Sequence, residues 1–126
     1  KRIVEAKKNI EMSGKGQIIE LLEGDATEVM KTLPSQQFDF VFMDAAKAQY
    51  IYFLPEVLRL MKKGAVLITD NVLQEGDLIE SRFVVERRDR TIHKRMREYL
   101  EVVKNHEELE TSIVPIGDGI TISVKK

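Results

Sequence analysis

Phe38-Asp39-Phe40-Val41-Phe42-Met43-Asp44 and Ala65-Val66-Leu67-Ile68-Thr69-Asp70-Asn71 decide the fold. Each is a short, nearly continuous apolar run that stops at an aspartate. Runs of this kind suit parallel strands covered on both faces. Between them, residues 48–61 carry Leu54, Val57, Leu58 and Met61 at helical spacing. Pro55 fits best in an early turn of that helix. Lys62-Lys63-Gly64 follows, a basic and glycine ending typical of helix C-termini.

The same alternation extends outward. Residues 1–13 place Ile3, Ala6 and Ile10 on one stripe and read as a helix. Ser13-Gly14-Lys15-Gly16 interrupts it, and Ile18-Ile19-Glu20-Leu21-Leu22 reads as a strand. Residues 26–33 are helical, with Ala26, Val29, Met30 and Leu33 on one face. Residues 71–90 read as irregular or short helix. A long helix follows, with Ile92, Met96, Tyr99, Leu100 and Val103 inward. Strands at 111–116 and 120–125 flank Gly117-Asp118-Gly119, a hairpin signal. The order predicts an α/β fold, a mainly parallel sheet closed by an antiparallel hairpin, with helices on both faces.

Composition narrows the function. With 126 residues the chain fits one domain, and a formal net charge of -1 points to no polyanion or membrane surface as a whole-molecule partner. The absence of cysteine excludes disulfides and thiolate metal sites. A hard cation held by oxygen ligands stays possible. No apolar run approaches the roughly 20 residues of a membrane span. The opening Lys1-Arg2-Ile3-Val4-Glu5 has no apolar signal region, so a cytoplasmic protein is the default expectation. The chain opens directly on a helical pattern without an initiator methionine, which suggests a preceding section in a parent protein.

Ligands of open α/β sheets bind beyond the carboxyl ends of the strands. If the two runs are neighbouring strands, Asp44 and Asp70 converge there with the Asn71 amide beside them. Two nearby carboxylates repel unless a proton or cation lies between them. With an amide oxygen, they suit Mg²⁺ or a similar ion such as Mn²⁺ or Ca²⁺. The alternative is structural: Asp44 as a helix cap, Asp70-Asn71 as turn residues. Lys47, three residues after Asp44, sits where a helix dipole disfavours a cation, which suggests work on a substrate as a general base. A solvated surface lysine is the alternative. Asp25 with Glu28 has the spacing of a capping box; the other reading is an edge that cradles the base of a nucleotide-like cofactor. Gly14-x-Gly16 lacks a third glycine and precedes a strand, so it is not a dinucleotide fingerprint.

Gly24-Asp25-Ala26, the run from Phe38 to Lys47 with Tyr50, Thr69-Asp70-Asn71-Val72-Leu73 and Val114-Pro115-Ile116-Gly117-Asp118-Gly119 occur in an order and spacing that together are distinctive. On these segments the chain resembles the cation-dependent O-methyltransferases of the catechol and caffeoyl-CoA type. It looks nearest to their bacterial branch, which includes tRNA 5-hydroxyuridine methyltransferases. The resemblance implies a Rossmann-like methyltransferase fold. It implies that Asp44, Asp70 and Asn71 bind Mg²⁺ or a similar ion, and that Lys47 deprotonates or orients a substrate hydroxyl. Asp25 and Ala26 would contact the adenine of S-adenosylmethionine, Asp44 would lie close to that cofactor, and Tyr50 would help line the pocket. The chemistry would be methyl transfer from a sulfonium to a substrate oxygen.

Members of this family also carry an earlier section: N-terminal helices, a strand with a Gly-rich loop, and a second strand ending in an acid. None of that lies in the 126 residues. The chain is therefore expected to be the C-terminal portion of one methyltransferase domain, lacking the family's first two strands. A monomer would then have a gap in its sheet, to be closed, filled with strands borrowed from another copy, or left as exposed edges; the chain is expected to associate as a homodimer or higher oligomer, and alone to bind cofactor poorly and be nearly inactive.

One patch stands out. From Arg82 to Arg97 seven basic residues (Arg82, Arg87, Arg88, Arg90, Lys94, Arg95, Arg97) face two acids, Glu86 and Asp89, a local excess of +5. A solvated helix face is one reading. A phosphate-contacting patch, suited to a tRNA anticodon loop with a splayed base, is the other. A small phenolic substrate would not need it.

Overall fold

The computed structural model describes residues 1–73 and 90–126; the side chain of Arg90 lies outside this description, and so does most of the basic segment. Two compact units emerge, Lys1–Thr32 and Leu33–Lys126.

The first unit contains α1 (Arg2–Met12) and α2 (Ala26–Thr32). Neither helix buries a residue. The predicted strand at 18–22 does not form. The amides of Ile18 and Ile19 donate instead to Lys15 O at 2.9 and 3.1 Å, closing a turn. A strand exists through its ladder, and no strand pairs with this segment among the described residues. An ion pair between Lys7 and Glu23 ties the segment to α1.

The second unit is a four-stranded mixed sheet with β1 (Phe38–Met43), β2 (Met61–Thr69), β3 (Leu109–Val114) and β4 (Ile120–Lys125). The spatial order is β1-β2-β4-β3. β1 and β2 are parallel; β4 runs antiparallel to both β2 and β3. A 3₁₀ turn (Lys47–Gln49) leads into α3 (Tyr50–Leu60), and α4 (Arg90–Asn105) precedes β3. Pro55 lies inside α3 rather than at its start.

Lys62-Lys63-Gly64 does not end the helix as expected: α3 stops at Leu60, and these residues already lie within β2. Met61 already pairs with Phe38, and the next pair is Phe40 with Val66. The intervening residues bulge out, helped by a positive φ of 78° at Gly64.

The core lies on one sheet face. Period-two alternation puts Ala65, Leu67 and Thr69 of β2 beside Thr121, Ser123 and Lys125 of β4, all buried. Tyr50, Leu54, Val57 and Leu58 of α3 and Met96, Tyr99 and Val103 of α4 supply the helical half. Ile92 and Leu100 are half-buried, and His93 is buried on the same stripe. Lys125 joins the layers: its ammonium donates to Leu58 O at 2.8 Å and Met61 O at 3.0 Å, where α3 ends.

On the opposite face of the sheet no helix of this unit packs among the described residues. Phe40 and Phe42 stay 55% and 54% exposed on edge strand β1, and Val124 is also exposed. Both described helices of this unit pack on the other face.

Candidate functional site

The parallel pairing delivers the predicted convergence. Met43 and Thr69 are register partners, so Asp44 and Asp70 each leave the sheet one residue beyond the same rung. The Asp70 amide still donates to Met43 O at 3.2 Å, which carries the ladder one step past the strands. Asp44 is exposed; Asp70 and Asn71 are half-buried. All three can therefore meet a ligand.

Tyr50 holds these ends together. It begins α3, is fully buried, and packs edge-on against Tyr99 with ring centres 5.6 Å apart. Its hydroxyl accepts from the Ala45 amide at 3.3 Å and donates to Asp70 O at 3.2 Å. One oxygen thus joins the backbone after Asp44 to the backbone of Asp70. Burial raises the Tyr50 pKa above its ordinary value; the Ala45 amide opposes this, and the Asp44 and Asp70 charges add to it. Both carboxylates therefore act on the same hydroxyl.

Below it, the Thr69 and Tyr99 hydroxyls share a hydrogen bond of 2.5 Å. Burial pushes the Tyr99 phenol up to about 12, against the lowering effect of the Thr69 and Thr121 hydroxyls.

Asn71 takes a positive φ of 55°, a region that asparagine tolerates better than most residues. Its amide donates to Asp70 Oδ1 at 2.8 Å. The segment is then stitched to the closing hairpin: Val72 N donates to Gly119 O at 3.0 Å and Leu73 N to Asp118 O at 2.8 Å. Gly119, at φ +76°, lies so close that a Cβ there would collide with the Leu73 side chain. The hairpin glycine thus has a second task beyond the turn.

Lys47 opens the 3₁₀ turn and is half-buried. Only three residues of 3₁₀ geometry precede α3, so the dipole cost of a cation there is small. Among the described residues Lys47 forms no ion pair.

Asp25 caps α2 within the first unit. Its Oδ1 accepts from Thr27 N at 2.9 Å and Glu28 N at 3.4 Å. Glu28 turns to Lys31 at 2.9 Å, so the reciprocal half of a capping box is not what holds it. Asp25 and Ala26 are exposed.

Among the described residues no group of three or more His, Asp or Glu is placed to hold an ion. The strand-end set is of another kind, two acids and an amide. The sequence names Asp44, Asp70, Asn71 and Lys47 as candidates but not the buried network beneath them. The signal was available: Tyr50 and Tyr99 fall on inner helical stripes, and a buried phenol must find a partner.

Comparison with known proteins places this geometry in context. Tapetum-specific methyltransferase 1 of Arabidopsis thaliana is 32% identical over 107 residues, covering 82% of this chain and 46% of that protein. A catechol O-methyltransferase of Mycobacterium tuberculosis is 32% identical over 74 residues, covering 59% of this chain and 34% of that protein. This chain thus spans less than half the length of either. The crystal structure of a candidate caffeoyl-CoA O-methyltransferase from Staphylococcus aureus superposes with a TM-score of 0.89 at 31% identity, over 98% of this chain and 59% of that one. The profile of the O-methyltransferase family matches residues 2–126, through both strand ends and the closing hairpin, and the chain belongs to that family.

Proposed function

We propose that the protein to which this chain belongs transfers a methyl group from S-adenosylmethionine to a hydroxyl oxygen, assisted by a divalent cation. The observation that carries this reading is the pairing of Asp44 and Asp70 at adjacent parallel strand ends, joined through one tyrosine hydroxyl. Two carboxylates and the Asn71 amide oxygen form an all-oxygen donor set that fits Mg²⁺ or Mn²⁺ and leaves room for water or substrate. Such an ion, when bound, makes a hydroxyl easier to deprotonate and orients it.

The chain's own residues do the rest. Asp44, Asp70 and Asn71 hold the ion. Lys47, without an ion-pair partner among the described residues, takes or steers the proton of the substrate hydroxyl. Asp25 and Ala26 serve the adenine; Asp25 uses Oδ1 on its cap, which leaves Oδ2 for an outside donor. Asp44 lies close to that cofactor, and Tyr50, fully buried in this chain, helps line the pocket only from beneath.

For the substrate we propose a 5-hydroxyuridine at the wobble position of a tRNA, on the strength of the basic segment. On α4, Lys94 and Arg97 are exposed, and the Arg95 guanidinium lies 5.5 Å from the centre of the exposed Tyr52 ring. A small catechol or phenolic acyl-CoA is the second reading, favoured by the names of the relatives. A non-catalytic oligomerising fragment, its acids serving only as caps, is the third. The edge of β1, unpaired among the described residues and with Phe40 and Phe42 exposed, supports association with further chain, in a homodimer or with the rest of the domain.

The test is a methylation assay of the full-length parent with hypomodified tRNA and with a catechol, with and without Mg²⁺. Cation-dependent methylation of the tRNA, weakened when Arg87, Arg88 and Arg90 are neutralised, supports the proposal. Catechol turnover alone moves the substrate to the second reading. No turnover of either favours the third.

A further inference from the structure

We propose that Tyr50 is a positioning residue that sets the spacing of the two metal-binding strand ends, acting through its hydroxyl as a clamp between the Ala45 amide and the Asp70 carbonyl. The inference rests on the reading of Asp44 and Asp70 as cation ligands. It goes beyond it, because Tyr50 itself supplies no ligand: its side chain is fully buried and its oxygen is committed to two backbone groups.

The need for a clamp follows from charge. Asp44 and Asp70 leave the sheet side by side, and their repulsion favours splaying when no cation lies between them. Backbone pairing resists this only as far as the 3.2 Å bond from Asp70 N to Met43 O. Beyond that rung the chains diverge, Asp44 toward the 3₁₀ turn and Asp70 toward a left-handed Asn71. Tyr50 reaches across at that point, twenty residues before Asp70 in sequence. Its ring cannot swing away, since Tyr99 packs edge-on against it. Groups that orient metal ligands typically contribute about 10–100-fold to metal affinity.

Tyr50→Phe keeps the ring and deletes the clamp. Tyr99→Phe deletes a hydroxyl of equal burial that bonds Thr69, joining α4 to β2 rather than spanning the two strand ends. Mn²⁺ titrated calorimetrically into the 126-residue chain should bind about tenfold more weakly to Tyr50→Phe, and with unchanged affinity to Tyr99→Phe, although both lose stability in urea. Equal affinity of Tyr50→Phe and wild type overturns the proposal. So does an equal loss in Tyr99→Phe, which marks a general loosening of the core. Amide exchange decides the clamp without metal: the Ala45 amide should be protected in the wild-type chain and exchange faster in Tyr50→Phe. An unprotected Ala45 amide overturns the clamp even if Mn²⁺ binds. Failure of the wild-type chain to bind Mn²⁺ at all, with Ala45 protected, instead overturns the cation reading on which the spacing role depends.

Discussion

Replacing Gly119 by alanine probes how firmly the closing hairpin holds the segment that carries Asn71. Gly119 sits at φ +76°, and a Cβ there would run into the side chain of Leu73. An L-residue in left-handed geometry costs about 1–2 kcal/mol. Overpacking against a fixed neighbour adds about 1–3 kcal/mol. Gly119→Ala should therefore destabilise the chain by about 2–5 kcal/mol, the sum of those two effects. Urea unfolding followed by circular dichroism gives the value. Most of the steric share is separable, since Leu73→Ala removes the two nearest atoms in the way, Cγ and Cδ1, and leaves only the Leu73 Cβ. In the double variant the cost of Gly119→Ala should shrink toward the backbone share, a coupling of about 1–3 kcal/mol between the two sites. A loss under about 0.5 kcal/mol in Gly119→Ala, the level of an indifferent surface change, would refute the close packing. Simple additivity in the double variant would refute its assignment to Leu73.

Two further outcomes test buried polar groups of the core. Tyr99 holds its proton up to about 12 in the fold and to about 10 when unfolded. Above pH 10 the unfolded chain sheds a proton that the fold retains, so stability present below pH 10 should fall by about 2 kcal/mol by pH 12; Tyr99→Phe should flatten that fall, and an unchanged pH slope would contradict the assignment. Lys125→Met should cost about 2–4 kcal/mol, because two charge-assisted bonds to Leu58 O and Met61 O are lost at the end of α3; an unchanged urea midpoint would show that they contribute nothing net.

The strand ends were legible because their signal is local: an apolar run, an acid, and a helix between the two runs. That alone placed Asp44 beside Asp70 once the strands paired in parallel. The strand at 18–22 was misread for the complementary reason. Its apolar pattern is strand-like, but a strand needs a ladder, and no partner stands beside it among the described residues. The start of β2 was set too late because Met61 pairs with Phe38 across a bulge that no local pattern announces. The cross-links at the site were invisible for a similar reason. Tyr50 to Asp70, Thr69 to Tyr99, and Gly119 to Leu73 join residues 20 to 46 positions apart. Only the sheet order, with β4 inserted between β2 and β3, brings the hairpin to the Asn71 segment.

The central claim is that Asp44 and Asp70 form one cation site. Mn²⁺ binding by the 126-residue chain, followed by electron paramagnetic resonance at fixed ionic strength, tests it directly. Saturable binding of one ion is expected, abolished in both Asp44→Ala and Asp70→Ala while each variant stays folded. Binding that survives either substitution, or no binding by the wild-type chain, would contradict it.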